Sequence, residues 1–159
     1  MEWWFHVLAV SAIVALGSVN HDLYKWTGES PSIGTIAAKD ESMAAHQKMG
    51  IWPFVLVLLV VSGFGEVGSL VTILLGLAVY WAVIPMLFWV PQSIMDDKSF
   101  NMLWYDILTF NVAVSLGYTV AVRSSWPLLP PHTDIPIFLG TLVIVYLATG
   151  WSATYDSPA

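Results

Sequence analysis

Apolar positions fall in five long runs separated by short polar breaks, at about residues 3–23, 43–64, 67–90, 101–123 and 135–153. A helix needs about 20 largely apolar residues to cross the hydrocarbon core of a bilayer, within a range of roughly 17–25. All five runs lie near that window. The pattern predicts an all-α integral membrane protein, a single domain over 1–159, with five transmembrane helices bundled through short loops. The breaks carry the punctuation this requires. Gly28, Pro31 and Gly34 interrupt the first loop, and Gly63, Gly65 and Gly68 make a tight hairpin between spans two and three. Asp40 or Ser42 is placed to cap span two, and Asp97 or Ser99 to cap span four. The Pro-rich stretch from Trp126 to Pro131 halts helix before Thr133 or Asp134 caps span five, with Pro136 in its first turn. Pro85, inside span three, predicts a kink.

Five antiparallel crossings sort the connections into two sets. One end of the bundle, side A, receives the N-terminus, the Gly65-Glu66 turn and the Arg123–Asp134 loop. The other end, side B, receives the Tyr24–Ser42 loop, the Pro91–Asn101 loop and the C-terminal tail. Lys25, Lys39, Lys48 and Lys98 all fall on side B, against Arg123 on side A. By the positive-inside bias side B is cytoplasmic, which predicts N-out and C-in in the cell membrane. The chain opens Met1-Glu2-Trp3-Trp4 with no positive segment before its apolar run, so it reads as an uncleaved first span rather than a signal peptide.

Composition narrows the function classes. Hydrophobic residues make up 57% and charged residues 10%, which leaves no room for a separate soluble domain. Any chemistry must sit among the helices or at their ends. The net charge of −6 is scattered over loops, and no basic patch exists, so a nucleic-acid partner is not expected. Cysteine is absent, which removes disulfides, thiolate metal sites and a cysteine nucleophile. Neither G-x-S-x-G nor H-E-x-x-H occurs, so no catalytic residue is assigned and enzymatic activity stays open. Gly63-Phe64-Gly65-Glu66-Val67-Gly68 spells G-x-G-x-x-G, but it joins two apolar helices rather than following a strand, and reads as a turn. The nine Trp residues fall largely near span ends, the depth at which indole is half-buried and half-wet.

The histidines carry the most specific pattern. His21 closes span one and His46 opens span two, both on side B, with one loop between them. Gly17 stands one turn deeper than His21, and Gly50 one turn deeper than His46. An i,i+4 spacing puts each pair on one helix face. A missing side chain beside an axial histidine admits a flat macrocycle, and two imidazoles facing each other across an iron form a low-spin ligand pair. The same residues have a plainer reading: interfacial histidines need no cofactor, and glycines let helices pack closely. His6 lacks such a glycine and His132 sits in a Pro-rich loop, so no second haem is expected. Asp106 is the one carboxylate set back from the ends of a run, Asp22 standing at the end of the first. It is placed to pair with Lys98, to support His21 or His46 from behind, or to contact a proton or quinone. Asn111, Ser115 and Tyr118 give span four a polar stripe, and Ser11, Ala15 and Ser18 give span one a small-residue face.

Ala45-His46-Gln47-Lys48-Met49-Gly50-Ile51-Trp52, running on to Ser62-Gly63-Phe64, resembles the His-x-x-x-Gly helix start of small membrane b-type cytochromes. Asn111 through Trp126 and Thr149-Gly150-Trp151-Ser152 look similar to small multi-span membrane proteins related to them. The resemblance covers about a third of the chain. Tyr105 and Asp106 stand where those cytochromes often carry a further histidine, so it implies one haem b at most, with His21 and His46 as metal ligands. Its functional implication is a small membrane subunit of an energy-converting complex, respiratory or photosynthetic, exchanging electrons with quinone or another subunit. A cofactor-free scaffold or anchor subunit is the alternative, followed by a small homo-oligomeric transporter.

Overall fold

The computed structural model describes residues 2–37, 43–94, 102–124 and 131–155, and all of its regular structure is helical. The helices are α1 (Trp3–Trp26), α2 (Pro31–Gly34), α3 (Met43–Gly63), α4 (Leu70–Ile94), α5 (Met102–Arg123) and α6 (Pro131–Tyr155). Four of them, α1, α3, α4 and α5, contain stretches long and apolar enough to cross a membrane. The apolar stretch described in α6, Thr133–Val145, is shorter than a crossing needs. Over the described residues the chain is therefore an all-helical membrane protein with four candidate spans.

Apolar side chains face both inward and outward, as expected of helices solvated by lipid rather than water. Ile13, Phe54, Leu58, Ile73, Tyr80, Ile84 and Val114 form the buried centre. Leu8, Leu16, Val60, Leu108, Leu116 and Ile144 project from the outer surface. Trp3, Trp4, Trp26, Trp81 and Trp104 are exposed, four of them close to helix ends.

Helices α1, α3, α4 and α5 close into a ring, each packed on its neighbours, while α6 leans on α4 from outside. The tightest seam joins α4 to α5. A Cβ on Gly76 would stand 2.5 Å from the Gly117 carbonyl oxygen, and one on Gly117 would stand 2.6 Å from that of Gly76. Ala113, Gly117 and Ala121 recur every fourth residue along the α5 face, the small-residue spacing that lets two backbones touch. On α1 the buried face is Ala9, Ile13, Gly17 and Asn20. The sequence-predicted small-residue face of Ser11, Ala15 and Ser18 points outward instead.

The start of α1, the α3–α4 hairpin and the end of α5 meet at one end of the bundle. At side A, Phe5 meets Phe64 edge-on at 5.4 Å, His6 Nδ1 lies 2.9 Å from the Tyr118 hydroxyl, and His6 Nε2 lies 3.8 Å from Glu66 Oε2. Glu66 is held below the usual carboxylate value by the positive charge gathered at this end, His6 and Arg123 included. Gly65 turns the hairpin with φ +77, a conformation glycine adopts without strain.

Several boundaries shift from the sequence reading. Helix α4 starts at Leu70 rather than Val67, because Ser69 and Asp134 hold its first turn. Helix α6 starts at Pro131, so Asp134 lies in its first turn rather than capping it. Its carboxylate accepts from Ser69 Oγ at 2.9 Å, Leu70 N at 2.9 Å and Val71 N at 3.1 Å. An acidic side chain from one helix thus caps the positive end of another. Pro85 lies within an unbroken α4. Lys48, counted on side B, is a buried residue of α3. The caps expected at Asp40 or Ser42 and at Asp97 or Ser99, with Lys39 and Lys98, lie outside the described residues.

Candidate functional site

The site begins with a backbone defect. Pro53 lies inside α3 and has no N–H to offer the carbonyl four residues earlier, that of Met49. In a bilayer a freed carbonyl needs another donor. Asn20 of α1 supplies it: Nδ2 donates to Met49 O at 3.1 Å and also to Ile36 O at 2.9 Å, which ties the loop behind α2 over the end of the pair. Gly17, one turn from Asn20, lies on the same seam, where a Cβ would stand at an ordinary contact distance of 3.5 Å from the Met49 oxygen.

This seam brings His21 and His46 together. Their ring centroids are 5.8 Å apart with planes tilted by 54°. His21 Nδ1 lies 3.6 Å from Asp22 Oδ1, with both side chains partly exposed at the rim. Asp106 of α5 comes to the same end, where it lines a cavity of about 10 Å³ with His46, Thr109, Phe110 and Ile84. That is room for about one water molecule. Thr109 Oγ1 is buried there without a hydrogen-bond partner among the described residues. The structure thus gathers His21, His46, Gly17, Gly50 and Asp106 at one end of the bundle.

The space beside the two glycines is filled. A Cβ on Gly50 would fall 2.2 Å from the Tyr80 hydroxyl oxygen and 2.8 Å from Phe110 Cε2, and one on Gly17 would fall 2.5 Å from Phe110 Cζ. Tyr80 is fully buried, stacks on Phe54 at 5.8 Å and meets Phe110 edge-on at 6.1 Å. Its hydroxyl donates to the His46 and Gln47 carbonyls at 3.1 and 3.2 Å. The glycines therefore admit the protein's own aromatic rings into the seam between α1, α3, α4 and α5. A porphyrin lying against both glycines would need that volume, and with the rings packed this way the residues do not fit one. Among the described residues, no group of three or more His, Asp or Glu gathers to hold a metal ion.

Sequence reasoning missed Asn20, Tyr80 and Phe110, which organise the site. One signal was present: Pro53 stands four residues after Met49 and so predicts an orphaned carbonyl needing a donor. Nothing local marks Tyr80 or Phe110, whose roles depend on α4 and α5 packing against α3.

Neither curated proteins nor solved structures yield a match to this chain. One family model matches residues 1–151, and the chain therefore belongs to that family, DUF6512, a family of unknown function.

Proposed function

We propose that the chain is a cofactor-free scaffold or anchor subunit of a membrane-embedded energy-converting assembly, in the cell membrane with its N-terminus outside. One observation carries the reading: Phe110 and Tyr80 close the seam beside Gly17 and Gly50, leaving a filled interior behind an outer surface that is apolar on every span. An interior of that kind suits a part that positions others. The outer surface suits lipid and neighbouring subunits alike. The five-span topology belongs to this proposal, with α6 as the last crossing.

The test compares native-gel migration of the chain extracted from its own membranes with that of the chain expressed alone, both in mild detergent. A larger particle from native membranes is the expected result. The same small particle from both sources overturns the subunit reading.

A second reading, electron transfer through one haem b between His21 and His46, is favoured by the 5.8 Å approach of the two rings. It requires Phe110 and Tyr80 to leave the seam when the haem loads. A reduced-minus-oxidised absorption spectrum of the native particle decides it. A b-type band that disappears in His46→Ala supports this reading; a flat spectrum, or a band untouched by His46→Ala, overturns the ligand assignment. Quinone exchange stands or falls with it.

A further inference from the structure

A groove of about 440 Å³ runs between α1 and α5 at side A, at the opposite end of the bundle from the histidine pair. We propose that it binds a membrane phospholipid, the phosphate on Arg123 and the glycerol region in the groove. Arg123 is the last residue of α5 and Trp3 the first of α1, so both stand at headgroup level. Guanidinium keeps its charge in any surroundings and presents paired donors that match phosphate oxygens. Ser115 lies two turns before Arg123, about 12 Å deeper by helical rise, so the groove descends from the headgroups into the hydrocarbon.

Polar and apolar side chains are interspersed along that descent. Below the cation the hydrogen-bonded His6–Tyr118 pair meets the ester region, while Ser11 lies about 12 Å below Trp3, level with Ser115. Val7, Val10 and Val122 line the same walls, and Val7 is exposed, giving the acyl chains an apolar exit toward the bilayer. The volume suits a headgroup with its glycerol, being within the range of about 300–1,000 Å³ usual for small-molecule sites. A soluble phosphate would leave the apolar walls unused, which is why a lipid is the better occupant.

Native mass spectrometry of the full chain tests this, released from micelles holding equal amounts of phosphatidylglycerol and a phosphate-free galactosyl diacylglycerol. One phosphatidylglycerol is expected to stay bound in preference to the galactolipid. Arg123→Gln should lower that retention about tenfold or more, the scale of losing a charge-assisted hydrogen bond. Arg123→Lys, which keeps the charge without the paired donors, should fall between wild type and Arg123→Gln. Ser11→Phe, an outward position where a larger side chain leaves the core alone, should block the groove with Arg123 intact. Equal retention of both lipids overturns the proposal, as does wild-type retention in both Arg123→Gln and Ser11→Phe. Displacement by millimolar inorganic phosphate overturns the lipid assignment in favour of a soluble ion.

Discussion

Asn20 and Thr109 show how differently two buried polar side chains behave in one bundle. Asn20 spends both its amide protons on carbonyls, one of them orphaned by Pro53. Asn20→Ala leaves Met49 O and Ile36 O without that donor, and is expected to cost about 1–2 kcal/mol. Chemical unfolding in a mixed detergent system measures it; an unchanged midpoint would mean that other groups satisfy both oxygens. Thr109 is the opposite case, with its hydroxyl buried and unsatisfied among the described residues. Thr109→Val replaces it by a methyl group of similar shape, and a gain of up to about 1 kcal/mol is expected in the same assay. A loss instead would mark the hydroxyl as part of a working polar site with His46 and Asp106. Asn20 was legible in principle, because Pro53 announces a missing hydrogen bond. Thr109 was not, because only the packing of α5 against α3 and α4 takes it away from water.

Among the elements, the glycines separate into those that hold helices together and those that do not. Gly76 and Gly117 face each other across the α4–α5 seam, where an added Cβ would strike backbone rather than a movable side-chain tip. Gly76→Ala or Gly117→Ala is expected to cost about 1–3 kcal/mol, since the two helices must move apart. Gly140 on α6 has nothing within 4 Å of such a Cβ. Gly140→Ala should therefore stabilise by up to about 1 kcal/mol through helix propensity. Thermal unfolding of these variants side by side checks the contrast, and similar effects at all three positions would overturn the seam assignment. Glycine alone does not say which case applies. Gly17 and Gly50 looked like room for a macrocycle from their spacing to His21 and His46, yet the residues that occupy that room come from α4 and α5. Asp134 teaches the same lesson: spacing predicts a cap on its own helix, but its carboxylate closes the first turn of α4.

For the whole molecule, the absence of cysteine makes topology directly measurable. Single cysteines at Glu29 and Glu66 are expected to react with an impermeant thiol reagent from opposite faces of the membrane, Glu29→Cys from the cytoplasmic face and Glu66→Cys from outside. A cysteine at Ser157 should follow Glu29→Cys if α6 crosses, and Glu66→Cys if it does not. Labelling of Glu29→Cys and Glu66→Cys from one face would overturn the alternating arrangement. The membrane class and the four clearest spans were written in the sequence, because the free energy of placing a helix in lipid is close to a sum over its own residues. The ends at which His21 and His46 lie follow from the same sum and from counting crossings. What fills the space beside Gly17 and Gly50, which helix Asp134 caps and which carbonyls Asn20 reaches were decided only by tertiary structure. Each of those contacts joins positions far apart in the chain, and lipid contact alone does not prescribe which helix neighbours which.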